Sequence, residues 1–541
     1  MSGQTAPKFQ EEYSAKIPAL ALLSNLGWTF LPPEQALTAR GGKPSEVVLR
    51  EELRTQLAKR RFPYAGREHG LSEKTLDNLV AEICSPALNE GLLRANERLY
   101  NHLLLGISVT EFVDGKKVNP TIALIDWQQP ENNSFVFTEE FSVLRSGGID
   151  ARRPDIVCFV NGIPLVVIEA KRPDGHSGQG AKKGPTIDEG ISQSLRNQRH
   201  DEIPQLFAYS QLLLSINGSD GRYGTCLTPT TFWAAWREED ISEAQMFALK
   251  NRRLSAQQMA ALFDHRKPHD LIWYQDLVSS GELAVTGQDR LLMSLLSPDR
   301  LLEMTRYFTL FDKKAGKIVA RYQQVFGIKR LIERIDTRNL QGGREGGVIW
   351  HTTGSGKSFT MVFLSKALIL HESLKACRII VVTDRVDLES QLSKTFASGG
   401  ELASKKDREA AMATSGKRLA EQIGRGNERI IFSLIQKFNS ATKLPECSNN
   451  SADIIVLIDE GHRSQGGENH IRMKQALPNA AFVAFTGTPL LKDDKTTNKF
   501  GPIVHAYTMQ RAVEDRAVTP LLYESRIPDL DVNERAIDSW F

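Results

Sequence analysis

The sequence predicts a multidomain α/β protein, and three observations predict it. Its 541 residues exceed one compact domain and suit two to four. From about residue 301, apolar strand candidates alternate with helical segments, the pattern of a parallel sheet covered by helices on both faces. From about 96 to 240 the pattern is instead one of short strands with an antiparallel component. A hydrophobic content of 41% with 25% charged residues excludes a disordered or collagen-like chain.

Taken in order, residues 1–95 read as a helical layer with loops. PALALLSNLGW, SEVVLREELRTQLAKR and EKTLDNLVAEI each repeat apolar residues at three- and four-residue spacing. Residues 96–240 carry the strand candidates TIALIDW, SFVFTEEFSV, PDIVCFV and PLVVIEA, followed by QLFAYSQLLLSI, read as helical. Residues 241–300 form a polar, helix-rich linker. Residues 301–520 hold the alternating segments GGVIW, FTMVFLSKALIL, RIIVVTD, RIIFSL, DIIVLIDE and AFVAFTG. Two stretches, 172–190 and 398–418, are rich in Gly, Ser or charge and read as loops. No internal repeat is found.

The start, MSGQTAPKFQEEYSAK, lacks the charged and then apolar regions of a secretory signal, and no apolar run approaches the roughly 18 to 20 residues that cross a bilayer. Five scattered cysteines with no CxxC pair argue against a disulfide framework or a structural zinc site. A cytoplasmic location with no membrane partner is expected. Lys and Arg total 68 against 65 Asp and Glu, so net charge alone does not announce a nucleic-acid binder.

The segment Trp350-His351-Thr352-Thr353-Gly354-Ser355-Gly356-Lys357-Ser358 follows an apolar strand and opens a helix, the setting of a Walker A phosphate loop. In such a loop the small residues from Thr353 to Gly356 let backbone N–H groups face phosphate, and the helix N-terminus adds a favourable dipole. Lys357 would meet the β- and γ-phosphates of ATP, and the Ser358 hydroxyl would ligate Mg²⁺. The general pattern wants Gly where this chain has His351. Downstream, IIVLI runs into Asp459-Glu460-Gly461-His462, with Asp459 placed for the Mg²⁺ shell and Glu460 for the attacking water. AFVAF then leads into Thr486-Gly487-Thr488-Pro489. The ordered set resembles the first RecA-like lobe of superfamily 2 helicases and translocases. Thr383-Asp384-Arg385 stands where that superfamily places a nucleic-acid-contacting loop. Gln324 stands where it places an adenine-reading glutamine, although an ordinary exposed polar residue fits there nearly as well.

A second constellation is Pro154-Asp155, 13 intervening residues, then Glu169-Ala170-Lys171. It resembles the PD-(D/E)xK nuclease signature, in which two acidic groups converge on Mg²⁺ and a lysine sits beside the nucleophilic water. Glu169 and Lys171 share a strand face. Asp155 joins them or not according to the turn at Asn161-Gly162. A plain two-residue hairpin would pair Asp155 with Ile168 and put the carboxylates on opposite faces. A three-residue loop, expected to pair Asp155 with Val167 and set Glu169 diagonally, or a bulge, would put them on one face. The nuclease reading therefore requires the loop or the bulge. Gln193 is the favoured glutamine for this site, with Gln205 and Tyr209 a competing QxxxY match.

Together, RRPDIVCFVNGIPLVVIEAKRP, YSQLLLSINGSDGRYGT, VIWHTTGSGKSFTM, VVTDRVDLESQL, IDEGHRSQGG and FTGTPL resemble the restriction (R) subunit of Type I restriction–modification enzymes. The resemblance implies a PD-(D/E)xK nuclease module followed by a RecA-like P-loop lobe. It implies ATP-driven translocation of double-stranded DNA, coupled to Mg²⁺-dependent cleavage far from the recognition sequence. It also implies methyltransferase and specificity partners in an R2M2S complex, with S-adenosylmethionine bound by the methyltransferase partner. Family members run to roughly twice this length, and after TGTP no further run of β–α units is read. The chain is therefore expected to be an amino-terminal portion, with 521–541 beginning a connection to a second motor lobe, and to bind ATP weakly without translocating alone. The alternatives are a DNA-repair helicase–nuclease, a Type III restriction subunit (disfavoured by module order), and a nucleic-acid-remodelling ATPase whose nuclease-like module is non-catalytic.

Overall fold

A computed structural model of the protein describes residues 10–173, 186–312, 314–383, 411–459, 467–488 and 500–519. Two six-stranded sheets organise it. The first is built from β1 (Thr29–Phe30), β2 (Phe135–Glu139), β3 (Ile156–Val160), β4 (Ile163–Ala170), β5 (Leu212–Ile216) and β6 (Gly221–Gly224), which lie side by side in chain order. The pairs β1–β2 and β4–β5 are parallel and the others antiparallel. Every residue of β3, β4 and β5 is buried, so these strands read as apolar runs rather than alternations.

That burial explains one misreading. QLFAYSQLLLSI is a single helical turn, Pro204–Phe207, followed by strand β5 and not one helix. A short, wholly buried apolar run has no polar face to reveal its period. The amino-terminal region also does more than cover the module. After a π-helical turn (Glu12–Lys16) and α1 (Ile17–Asn25), it contributes β1 to the sheet itself. Farther on, α2 (Leu92–Leu105) packs near the turn that precedes β5, and α3 (Thr186–Asn197) lies across β4 and β5.

The stretch read as a linker packs closely against the nuclease-like module. The Trp28 indole donates to the Leu296 carbonyl at the end of α4 (Gly287–Leu296), the Tyr13 hydroxyl donates to Asp270 at 2.8 Å, and Arg266 bonds Glu139 on β2. A hairpin of Thr309–Asp312 with Gly316–Val319 then precedes the second sheet.

The second sheet follows α5 (Tyr322–Asp336) and comprises β7 (Gly347–His351), β8 (Arg378–Thr383), β9 (Ile430–Leu434), β10 (Ile454–Asp459), β11 (Ala481–Thr486) and β12 (Ile503–Tyr507). Its order is β9-β8-β10-β11-β7-β12, all parallel, with α6 (Lys357–Leu370) leaving β7. Alternate residues enter different cores: Ile455 and Leu457 of β10 join one cluster, Ile454, Val456 and Ile458 the other. Strand β12, with the short helix Met509–Glu514 after it, is a β–α unit that the sequence reading passed over. Its IVHAY has one fully apolar face at most, a weak strand signal.

One of the two cores runs continuously from Tyr13 to Ala512, so the modules share it. At the junction the Lys317 ammonium, 4% exposed, donates to Asn96 Oδ1 (2.8 Å) on α2, Ser210 O (3.0 Å) and Gln211 Oε1 (2.7 Å). Beside it Lys366, on the helix that follows the phosphate loop, bonds the Tyr100 hydroxyl of α2 and donates to the Thr309 carbonyl at 2.7 Å. No helix among the described residues is long and apolar enough to cross a membrane.

Candidate active sites

The turn between β3 and β4 decides the first site. Asn161 (φ 51°) and Gly162 (φ 81°) form a two-residue turn with both residues in the left-handed region, and Val160 pairs with Ile163. A Cβ on Gly162 would lie 2.6 Å from the Leu49 carbonyl oxygen, which restricts this position to glycine. The Asn161 amide is fixed as well, donating to Leu124 O (2.9 Å) and Asn133 Oδ1 (2.8 Å).

Left alone, this turn would separate the carboxylates. The ladder shifts, however: Phe159 pairs with Pro164 but Cys158 with Val166, leaving Leu165 as a bulge. Beyond it Ile156 pairs with Ile168, a register that, continued one residue past the start of β3, brings Asp155 opposite Glu169. Val157, not Asp155, is the partner of Val167, so the diagonal arrangement expected for a three-residue loop is replaced by a direct cross-strand pair. Pro164, which has no N–H to give the ladder, stands next to this bulge.

The site then fills from four elements. The Ala170 N–H donates to Asp155 Oδ2 at 2.8 Å, and Lys171 Nζ lies 3.5 Å from the same oxygen. Gln193, on α3, donates to Glu169 Oε2 at 2.7 Å. Gly190 permits this approach: a Cβ there would come within 2.3 Å of Ser215 Oγ on β5. Gln205 and Tyr209 point elsewhere, donating to the Leu144 carbonyl (2.7 Å) and the Ile83 carbonyl (2.6 Å).

Sequence reasoning missed two residues. Asn197, one helical turn beyond Gln193, donates to Glu169 Oε1 at 3.4 Å, and the four-residue spacing could have found it. Glu11 Oε2 lies 3.7 Å from Lys171 Nζ, and nothing in the sequence links the amino terminus to the strand. Glu169 is wholly buried, and burial first, then the Asp155 charge, pushes its carboxyl well above the usual range against the pull of Lys171. Burial likewise raises Glu11, with Lys171 opposing. A pair of facing carboxylates held this way gains from a cation between them. Among the described residues no three His, Cys, Asp or Glu side chains converge as metal ligands. Two carboxylates suit Mg²⁺ nonetheless, because that ion keeps several waters.

The second site lies at the carboxyl ends of the parallel strands. Gly354 (φ 83°) and Gly356 (φ 87°) adopt left-handed backbone, and Gly356 caps α6, whose first residues are Lys357 and Ser358. Ser355 is buried and donates to the Thr352 carbonyl at 2.6 Å, while Thr353 is exposed. The adjacent β11 ends at Thr486, in register with Trp350, and Gly487 abuts the loop. A Cβ on Gly487 would lie 2.9 Å from Thr353 Oγ1 and 3.2 Å from Lys357 Nζ. Asp459 ends β10, one strand farther across. Gln324, on α5, spends its amide on the loop itself, donating to the Gly356 carbonyl and Thr360 Oγ1, both at 3.2 Å. His351 is wholly buried, and burial, reinforced by His505 and Lys357, holds it far below the usual histidine range. Glu460, Asp384, Arg385 and Pro489, residues 521–541, and most of both sequence-read loops lie outside the described residues.

Comparison with known proteins agrees with this division. Residues 8–232 match the family model of the Type I restriction enzyme R protein N terminus, and residues 323–541 match that of the SWI2/SNF2 ATPase. The Type I restriction enzyme HindI endonuclease subunit of Haemophilus influenzae is 31% identical over 96% of this chain and 46% of its own length. The putative Type I restriction enzyme MjaIXP endonuclease subunit of Methanocaldococcus jannaschii is 29% identical over 99% of this chain and 48% of its own. The chain thus spans about half the length of the curated relatives it matches. A solved fragment of a putative HsdR subunit from Vibrio vulnificus YJ016 aligns over 76% of this chain and 55% of that one, at 17% identity and a TM-score of 0.25. That likeness is too weak to bear on the fold, which rests on the topology above.

Proposed function

Since the chain belongs to the R-subunit family of Type I restriction enzymes, we propose that it cuts double-stranded DNA at the Asp155–Glu169–Lys171 site and binds ATP at the Lys357 loop. In the assembled enzyme it would couple ATP hydrolysis to DNA translocation, with methyltransferase and specificity subunits as partners in an R2M2S complex. S-adenosylmethionine would be bound by the methyltransferase partner. The observation that carries the cutting role is the Leu165 bulge, which sets two carboxylates face to face with Lys171 beside one of them.

In this reading Asp155 and Glu169 hold Mg²⁺, and Gln193 and Asn197 orient the Glu169 carboxylate for it. When bound, the ion supplies Lewis-acid neutralisation of phosphate charge. A water beside Lys171 attacks phosphorus and gives its proton to solvent, while the ammonium stabilises the charge that builds on the phosphoryl oxygens; the P–O bond to the leaving sugar oxygen breaks and that oxygen takes a proton from solvent. Glu11 and Asp155 keep that ammonium in place. In the motor lobe Lys357 meets the β- and γ-phosphates, Ser358 and Asp459 hold the nucleotide's Mg²⁺, and the N–H groups from Thr353 to Gly356 cradle phosphate. Glu460 would orient the attacking water, and Gln324, through Gly356, would sense the loop beside the adenine.

The test is cleavage of unmodified plasmid by the protein assembled with its methyltransferase and specificity partners. Cutting that requires both ATP and Mg²⁺, and disappears in Lys171→Ala while ATP hydrolysis persists, is the expected result. Undiminished cutting by Lys171→Ala would remove the assigned site.

A further inference from the structure

The phosphate loop departs from its general pattern at His351, and that residue begins a hydrogen-bonded chain. His351 Nε2 lies 3.0 Å from Nδ1 of His505 on β12, with the rings at 75°. His505 is 5% exposed, and its Nε2 is 3.4 Å from Glu239 Oε1. The other Glu239 oxygen meets Arg330 of α5 at 2.7 Å. The His505 ring packs over Gly327 of α5, where a Cβ would stand in ordinary contact with it at 3.4 Å from Cγ.

Glu239 belongs to the segment that leaves the nuclease-like module, and this strap is fastened on both sides of it. Arg237 pairs with Asp515 at 2.7 Å, and Asp240 with Lys329 at 2.6 Å. Trp236 packs between Tyr223 of β6 and Phe326 of α5, joining the two modules. Glu239 is thereby presented to His505 by a held backbone.

The donors and acceptors then fall in one order. A carboxylate only accepts, so His505 donates from Nε2. With a single proton, placed on Nε2 by Glu239, His505 presents Nδ1 as an acceptor, and His351 then donates from Nε2. This leaves His351 Nδ1 as a buried lone pair with no hydrogen-bond partner among the described residues. The reverse order would bury an unpaired N–H there, the costlier orphan. Besides His505, the groups facing His351 are Lys357 and the Tyr507 ring. Burial pushes Glu239 up, but hydrogen bonding and charge from His505, then from Arg330, outweigh it and keep the carboxyl below its usual range.

Resting on the reading of the Lys357 loop as a nucleotide site, we propose that Glu239 is a positioning residue for that loop. Acting through His505, it fixes the tautomer and ring orientation of His351 and so ties nucleotide affinity to the strap from the nuclease-like module.

The test measures binding of a fluorescent N-methylanthraniloyl-ATP, with Mg²⁺, to the full chain. Glu239→Ala should weaken binding about fivefold, the equivalent of one hydrogen bond. Glu239→Gln, which still accepts from His505, should return it to within about twofold. With ¹⁵N-histidine labelling, His351 should carry its proton on Nε2 in the native chain and in Glu239→Gln, and become a mixture of tautomers in Glu239→Ala. Equal binding by native and Glu239→Ala, equal losses in Ala and Gln variants, or a native His351 protonated at Nδ1 would overturn the proposal. Lys357→Ala separates the two ideas: if it also binds like the native chain, the nucleotide-site reading itself fails.

Discussion

In the nuclease-like module the candidate groups are side chains that meet from four elements: Glu11 beside the first helix, Asp155 entering β3, Glu169 and Lys171 at the end of β4, and Gln193 on α3. In the P-loop lobe they are largely consecutive main-chain and side-chain groups between Trp350 and Ser358, presented where β7 gives way to α6. The first arrangement depends on sheet register, where a slip of one residue sends every side chain to the opposite face. The second depends on local backbone conformation, set by Gly354 and Gly356. A register-built site is exposed to changes at distant turns, whereas a loop-built site is exposed chiefly to changes within the loop.

Substitutions can press on that contrast. The largest effect is expected from Lys171→Ala in the assembled enzyme, where cleavage falls by about 100-fold or more, the range for losing one charge-stabilising donor, with the ATPase rate unchanged. Gel assay of plasmid linearisation alongside phosphate release reads both. Lys357→Ala should give the converse, weakening nucleotide binding by about 10- to 100-fold, as expected for one charged hydrogen bond to phosphate.

Gly162→Ala tests register at a distance. Strained φ and the Leu49 contact should cost about 2 kcal/mol in denaturant unfolding and depress cleavage more than nucleotide binding. If both activities fell equally, the distinction between the sites would collapse. The last effect is one of pH dependence and concerns Lys317 at the junction, which burial lowers to about 7. Between that value and the ordinary lysine range the unfolded chain binds more protons than the folded one, so this group makes stability rise with pH. Unfolding curves at pH 7 and 9.5 should therefore show a larger alkaline gain for the native chain than for Lys317→Met.

The contrast also governs what could be read from the sequence. The phosphate loop, Asp459 and the TGT of β11 are contiguous or strand-terminal, and each lies where its pattern indicated. The facing of Asp155 and Glu169 could be posed only as a condition, because the two-residue turn and the bulge at Leu165 occur together, and a bulge inside a ladder leaves no periodic signal in the sequence. Strand β5 was hidden by uniform burial, and β1 is too short to show a period. Glu11 was invisible because its proximity to Lys171 is purely tertiary.

The hairpin that carries Lys317 bears on how this chain can be divided. A cut at the apparent linker boundary near residue 300 would leave the carbonyl and amide oxygens of Asn96, Ser210 and Gln211 facing a hole, stripped of the ammonium that satisfies them. Fragments intended to isolate the nuclease-like half should therefore run through Val319, keeping a short piece that precedes the P-loop lobe as a plug.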